Sequence, residues 1–400
     1  MKSGWVTKKL GEVCEFRRGL TYSKHDEVVK SNNIVLRATN ISLETQSLCF
    51  DELKYLRSDF EIPNDKVLEK DSLLICTASG SKGHLGKVAY IDDDYKYAFG
   101  GFMGLIVPNV KEVLPRYLYW LLTSDTYRQF IHNLTDGANI NNLKFSQLSD
   151  FDIPIPPLSE QKRIVAKIDA AFEKIDALKA NAEKNLANAK ELFQSALDEA
   201  MRPKKGWVEK RLGEVCETIT DGDHQPPPKV ASGVPFLVIS DVSKGYLSFE
   251  NTRFVPESYY SRIPEAKKPR KGDVLLTVTG SFGIPVLVDT EKKFCFQRHI
   301  ALLRTNQMIP RFLVYQLSSH ESFKYFDKVA TGTAQRTVSL SSLRTMEIVL
   351  PPSAEQKRIV EKIGLLEQTL KALQQNYARQ IADCAEMRQA ILREAFEGRL

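Results

Sequence analysis

A long amphipathic helix opened by a proline pair occurs twice in this chain, and no other feature limits the fold so strongly. Residues 156–178 run PPLSEQKRIVAKIDAAFEKIDAL, and residues 351–373 run PPSAEQKRIVEKIGLLEQTLKAL. Proline holds the residue before it in an extended conformation, so each pair ends an extended run. The serine that follows, Ser159 or Ser353, is expected to cap the helix, with Glu160 or Glu355 in the first turn, where the helix dipole favours negative charge. Apolar residues then step by threes and fours. The expected seam runs through Ile164, Ile168, Ile175 and Leu178 in the first copy, and through Ile363, Leu366, Leu370 and Leu373 in the second. A stripe this narrow, held for about six heptads, predicts a coiled coil rather than the broad face of a short globular helix. The shared opening and length predict that the two helices pair with each other.

Self-comparison extends the repeat to the whole chain. Trp5-Val-Thr-Lys-Lys-Leu-Gly-Glu-Val-Cys-Glu15 returns as Trp207-Val-Glu-Lys-Arg-Leu-Gly-Glu-Val-Cys-Glu217. DSLLICTASGSKG at 71–83 is echoed by DVLLTVTGSFG at 273–283, and LPRYLYWLL at 114–122 by IPRFLVYQL at 309–317. The offset drifts from 202 (Trp5 to Trp207) to 195 (Pro156 to Pro351), which means small insertions in an unchanged order. The chain is a tandem duplication in four segments: a domain over 1–156, a long helix over 157–203, a second domain over 204–351 and a second helix over 352–400. Short β-rich runs at 34–41, 73–79, 86–91 and 104–108 match runs at 236–242, 274–280, 284–289 and 299–305. Turn residues separate them. One helix per domain, over 115–130 and 310–326, opens on a proline suited to the first turn. Each domain is therefore expected to be α+β, with strands and loops built around a curved sheet.

Composition removes several classes of function. With 42% hydrophobic residues, real cores are available, but no apolar run approaches a membrane span, and the opening MKSGWVTKKLGEVCEF lacks an apolar signal core. Six scattered cysteines form no CxxC pair, which favours reduced thiols and a cytoplasmic protein over a zinc site or disulfide framework. The six histidines show no metal-ligand spacing, so no metal is expected. Phe99-Gly-Gly-Phe-Met-Gly104 has the glycine density of a nucleotide loop, yet it runs into a strand instead of a helix. A tight turn is the expectation there. No GxxxxGK[ST] loop and no nucleophile elbow occur, so no active site and no bound cofactor are expected. The net charge of +6 is compatible with nucleic acid without demanding it.

Polar loops recur at matching places in the two halves. Arg37-Ala-Thr-Asn40 corresponds to Val238-Ile-Ser-Asp241, Ser79-Gly-Ser-Lys82 to Thr279-Gly-Ser-Phe282, and the 136–142 loop to 331–337. These clusters carry the side chains that bond phosphates and base edges. The framework segments match closely and the loops differ, which suits one scaffold reading two different short sequences. Candidate DNA contacts are Arg37, Asn40, Lys82, Asn139 and Asn141 in the first domain, and Asp223, His224, Ser281, Arg298, Gln335 and Arg336 in the second.

On these residues the chain resembles the specificity subunit of type I restriction–modification systems. The resemblance rests on GWVxKxLGEVCE at each domain start, on PPLSEQKRIVAKI and PPSAEQKRIVEKI, and on the terminal ILREAFEGRL. Ile219-Thr-Asp-Gly-Asp-His224 and Cys295-Phe-Gln-Arg-His-Ile-Ala301 are similar to segments of the family's target-recognition domains. The first half departs from them, with Phe16-Arg-Arg-Gly-Leu20 and Phe99-Gly-Gly-Phe102 in the corresponding places. The resemblance implies a non-catalytic subunit of pseudo-twofold symmetry. Two target-recognition domains, joined and separated by two long antiparallel helices, would read the halves of a split double-stranded DNA site. It also implies two DNA adenine methylase subunits and an ATP-driven restriction subunit as partners, with S-adenosylmethionine, ATP and Mg on those partners only. A recognition subunit of a methylation-only system, a self-contained DNA methyltransferase or nuclease, and a protein-binding coiled-coil scaffold are the alternative readings.

Overall fold

The computed structural model describes residues 4–80, 82–135, 142–224, 227–333 and 335–400. The chain divides into two compact units, Met1–Ala182 with Arg379–Leu400, and Glu183–Ala378. Both long helices form, over Leu158–Met201 and Ser353–Phe396. The units divide each helix instead of leaving it as a separate segment, because each half of a helix packs with a globular domain. In the first unit the start of the first helix lies beside the end of the second. There Arg163 Nη2 donates to Leu400 O at 2.8 Å and Asp176 pairs with Arg388, so the two segments run antiparallel. In the second unit the polarity is the same, since Lys204, just beyond the first helix, reaches Glu355 in the first turn of the second at 3.7 Å.

The two domains share one architecture. A two-stranded antiparallel clasp pairs the opening strand with the closing one, Val6–Lys9 with Asp152–Ile155 and Val208–Arg211 with Glu347–Leu350. It ties the start of each domain to the residues that lead into its long helix. The repeated LGEV then forms a short helix, Leu10–Val13 or Leu212–Val215, whose leucine and valine are buried. Its glycine permits a close crossing: a Cβ on Gly11 would lie 2.7 Å from Ser149 Cβ, and one on Gly213 would lie 3.0 Å from Arg344 O.

Each domain then holds two sheets, not the single curved one expected. In the first, Cys14–Arg18, Met103–Pro108, Leu73–Cys76 and Val88–Tyr90 lie side by side in that order, all antiparallel. A second sheet runs Glu27–Val28, Lys54–Leu56, Asn33–Leu36 and Ala98–Phe99. The second domain repeats the first sheet as Cys216–Asp221, Ile300–Thr305, Val274–Thr277 and Pro285–Leu287, and the second as Arg253–Val255, Val234–Leu237 and Cys295–Phe296. The central strand explains the layering. Leu73 and Ile75 belong to the core shared with the helices, while Leu74 and Cys76 belong to the core against the second sheet. Val274 and Leu276 separate from Leu275 in the same way. Side chains alternate across a strand, so a strand apolar at every position must be covered on both faces.

The single helices expected over 115–130 and 310–326 are each broken in two, as Pro115–Leu121 with Asp125–Thr135 and Pro310–Leu317 with His320–Val329. Hydroxyls at the break compete for the helical carbonyls. Thr123 and Ser124 donate to Trp120 O and Leu121 O, and Ser318 donates to Val314 O. The long helices then supply acceptors to the new helix starts. Gln389 Oε1 accepts from Asp125 N at 3.0 Å, and Asp198 Oδ1 from His320 N at 2.8 Å.

Ser159 and Ser353 do not cap the long helices. Both are exposed, and the proline carbonyls before them accept the first amides: Pro157 O from Glu160 N and Gln161 N, Pro352 O from Glu355 N and Gln356 N. The anchoring group is the glutamine of the repeated EQKR. Gln161 is fully buried; its Oε1 accepts from Leu114 N at 2.8 Å, and its Nε2 donates to Glu112 O and Pro156 O, each at 2.9 Å. Gln356 repeats this with Ile309 N and Pro351 O.

Of the expected seam, Ile164, Ile168, Ile175 and Ile363 are buried, Leu370 and Leu373 are half-buried, and Leu178 and Leu366 remain 57% and 36% exposed. The covered face extends instead to Phe172, Leu197, Met201, Leu392 and Ala395. The reason is that the stripe serves the domain as well as the other helix. Phe172 meets the Trp120 ring edge-on at 4.8 Å, with the Arg388 guanidinium 4.1 Å from its centroid.

Gln161→Leu or Gln356→Leu is expected to lower stability by about 2–4 kcal/mol, because it strands buried main-chain groups that only the amide reaches. Ser159→Ala and Ser353→Ala are expected to change it by less than ~0.5 kcal/mol. Chemical denaturation of the four variants checks the contrast.

Candidate nucleic-acid interface

In each domain one tight turn joins the second sheet to the first, and the same main-chain bonds hold it. In the first domain it runs from Phe99 to Met103. Gly100 N donates to Leu36 O, Leu20 N to Phe99 O, Met103 N to Gly100 O, and Thr77 N to Phe102 O, at 2.7–2.9 Å. In the second it runs from Phe296 to Ile300, with Gln297 N to Leu237 O, Asp223 N to Phe296 O, Ile300 N to Gln297 O, and Val278 N to His299 O, at 2.9–3.2 Å. The two turns therefore superpose residue for residue, with Gly100, Gly101 and Phe102 in the places of Gln297, Arg298 and His299. A glycine directly follows the strand that reaches the turn in both, Cys14–Arg18 or Cys216–Asp221. A Cβ on Gly19 would lie 2.0 Å from Gly100 O, and one on Gly222 would lie 2.0 Å from Phe296 O.

A cleft opens in front of each turn. In the first domain it encloses about 630 Å³ and is lined by Leu20 to Lys24, Arg37 to Thr39, Ala78 to Gly80 and the glycine turn. Arg37 belongs to it, and its Nε is buried with no hydrogen-bond partner among the described residues. Asn40 does not. It is 1% exposed, its Oδ1 accepts from Arg37 N at 2.8 Å, and its Nδ2 donates to Cys49 O and Glu52 O. That side chain closes the short helical turn behind the cleft, as Asp241 does by accepting from Val238 N at 2.8 Å. Its main-chain partners leave it nothing to offer DNA. Asn139, Asn141 and the side chain of Lys82 lie outside the described residues.

In the second domain, Asp223, His224 and Arg298 meet in one cleft of about 260 Å³, together with Lys229, Arg253, Gln297 and His299. Arg298, Lys229 and Arg253 form no ion pair with any described residue, and with Asp223 they line the same opening. Asp223 is tied to the Tyr259 hydroxyl, and His224 Nε2 lies 2.8 Å from Asp221 Oδ2, so both help shape the wall. Burial, then the neighbouring Arg298 and His224, hold His299 below the usual histidine value, which leaves it neutral at pH 7.

Ser281, Gln335 and Arg336 belong to a neighbouring loop pair, joined by the Thr279–Thr337 bridge and by Gly280 N donating to Arg336 O. Ser281 and Gln335 are exposed. Arg336 is engaged within the protein, bonded to Asp327 and lying 5.4 Å from the centroid of Phe282. Lys24, Lys229 and Arg253 were not foreseen from sequence. They come from segments remote from the turn in sequence, Lys24 from a short helical turn, Lys229 from a loop and Arg253 from a strand of the second sheet. Among the described residues no cluster of three His, Cys, Asp or Glu side chains could hold a metal, and no helix is long and apolar enough to cross a membrane.

Comparison with known proteins agrees with this duplicated geometry. The family model described as the type I restriction modification DNA specificity domain matches residues 2–188 and again residues 204–380. The type I restriction enzyme EcoKI specificity subunit of Escherichia coli K12 is 28% identical over 427 aligned residues, covering 100% of this chain and 90% of its own length. The StySPI specificity subunit of Salmonella potsdam is 26% identical with the same coverage. Among solved structures, a chain of a type I R-M system studied for complex assembly and conformational transition aligns with a TM-score of 0.80 at 24% identity, over 100% of this chain and 99% of its own. The HsdS subunit from Thermoanaerobacter tengcongensis aligns at 0.58, also at 24% identity, over 100% and 98%. With both halves matched by the family model, the chain belongs to the type I restriction modification DNA specificity family and carries its domain twice.

Proposed function

We propose that this chain is the DNA-recognition subunit of a type I restriction–modification complex. Each domain reads one half of a bipartite double-stranded site, and the long helices set the distance between the halves. The observation that carries this reading is the pair of superposable turns with different residues at their tips: one main-chain frame presents Gly-Gly-Phe in one domain and Gln-Arg-His in the other. The chain itself is a recognition subunit and not an enzyme. Two DNA adenine methylase subunits would bring S-adenosylmethionine, and a restriction subunit would bring ATP and Mg. Duplicated helix openings offer identical methylases two equivalent docking surfaces on one asymmetric chain. The six cysteines, all free, suit a cytoplasmic assembly.

The isolated chain is expected neither to methylate DNA nor to hydrolyse ATP; methyl transfer by the pure protein, unaffected by added methylase, would overturn the assignment. Exchanging residues 207–350 for the matching domain of a relative is expected to change one half of the methylated motif and leave the other intact, as methylome sequencing reads directly. A bidentate arginine contact to a guanine edge is worth about 1–3 kcal/mol. Arg298→Ala is therefore expected to weaken cognate binding selectively, whereas equal loss on random DNA would reduce Arg298 to a phosphate contact.

The helices act as a ruler on this reading. Each has 44 residues, or about 66 Å at 1.5 Å per residue. Deleting one heptad from both preserves the seam and removes about 10 Å, which is close to three base pairs at 3.4 Å each. Unchanged half-sites with a spacer about three base pairs shorter, at reduced affinity, are the expected methylome. An active variant that keeps the original spacer would refute the ruler.

A further inference from the structure

The glycine turn of the first domain carries an aromatic ring that its fold does not use. Phe102 is 72% exposed at the tip of the turn. Its backbone cannot swing to bury the ring, because its carbonyl accepts three bonds: from Thr77 N at 2.9 Å, Ala78 N at 3.1 Å and Thr77 Oγ1 at 3.0 Å. The two glycines beside it are not demanded by the backbone. Neither has a left-handed φ, and an added Cβ would meet nothing closer than 3.5 Å at Gly100 or 3.4 Å at Gly101. The same turn in the second domain carries Gln297 and Arg298 at those places. The glycines leave the ring as the one side chain beyond Cα on the tip of the turn.

Resting on the recognition reading above, we infer that Phe102 is a specificity-determining residue of the first domain and packs against an apolar feature of a base in its half-site. Arg298 occupies the neighbouring place on the corresponding turn of the second domain. The surroundings fit nucleic acid. Thr21, Ser23, Lys24 and Arg37 line the same cleft with hydroxyls and cations, the groups that bond phosphates and base edges, while the lining carboxylate of Glu27 is paired with Lys54. A partner presenting the same surface to both domains would call for the same tip on both turns. The partner that differs from domain to domain is the half-site. Phenylalanine offers no hydrogen bond, so the feature it recognises is apolar: the 5-methyl of a thymine at the groove edge, or the face of an unstacked base.

The test uses the assembled complex of this chain with its methylase subunits, on duplexes built from its methylome motif. Binding is measured to the cognate site and to sites with either half scrambled, and assembly and thermal midpoints are recorded for each variant. Phe102→Ala is expected to lower cognate affinity about tenfold, with no loss on DNA whose first half is scrambled and undiminished discrimination at the second half. Phe102→Leu serves in its place should the alanine variant unfold. Gly100→Gln, Gly101→Arg and Phe102→His together, which copy the second domain's turn, are expected to fold normally and lose the first half-site preference. Deoxyuridine at one first-half thymine is expected to weaken the wild type about fourfold and Phe102→Ala not at all, if the methyl is read. A 2-aminopurine signal in the first half that the wild type raises and Phe102→Ala does not would identify an unstacked base instead; either result supports the inference. Unchanged cognate binding, equal loss on cognate and scrambled DNA, or weakened methylase assembly would overturn it. A wild-type complex that shows no preference for its methylome motif would defeat the recognition reading itself, an outcome visible before any variant is made.

Discussion

The architecture depends on one buried side-chain amide used twice. Gln161 and Gln356 sit in the first turn of the long helices, where the leading amides have no helical partner and a proline has just ended an extended strand. By accepting from Leu114 N or Ile309 N, each joins its helix to the start of the domain's own helix at Pro115 or Pro310. A buried amide must satisfy both its donor and its acceptor, and only one orientation of helix against domain satisfies both here. An ion pair buried in the same place would have to offset the desolvation of two charges. The junction between rod and domain is thereby fixed in the first turn, ahead of any contact the long helix makes further along.

The second constraint lies in the central strand of each domain. Leu73–Cys76 and Val274–Thr277 are buried at every position, so neither face can be left to solvent. One face is covered by the helices that lead to the rod, the other by the smaller sheet. The turn connecting the two sheets must cross the edge between these layers. That crossing is where the clefts open, and it explains why the candidate contact residues of the clefts gather there and not on the rod.

Much of this organisation was legible in the sequence because it was written twice. The repeat located the strands near 34, 73, 86 and 104, and the long helices begin within one residue of the expected starts, although the second stops at Phe396, four residues short of the expected end. Single-site inferences fared less evenly, since they depended on which way a side chain points. Asn40 looks like Arg37 in composition, yet one bonds three main-chain groups behind the cleft and the other faces into it. Ser159 has the chemistry of a cap, but the preceding carbonyl of Pro157 already accepts the amides of Glu160 and Gln161. The helix breaks at 122–124 and 318–319 are not legible in the sequence, because a continuous apolar pattern hides an interruption of two or three residues. Lys229 and Arg253 left no local signal at all, because strand register is a property of the sheet and not of the segment.

Main-chain bonding also explains how one fold can carry two chemistries. Among the described residues, the bonds that shape the turns from Phe99 to Met103 and from Phe296 to Ile300 run through backbone groups, with the Thr77 hydroxyl added in the first. The tip side chains take no part in holding them. Replacing Gly-Gly-Phe by Gln-Arg-His therefore leaves the frame intact, while it narrows the cleft and exchanges an apolar ring for a cation. Residues such as Gln161, Asp241 and Leu74 have no such freedom, since each satisfies or fills something that nothing else can reach. On the recognition reading, stability and specificity reside in different atoms of the same turn: main-chain groups hold the frame, and the tip side chains line the clefts.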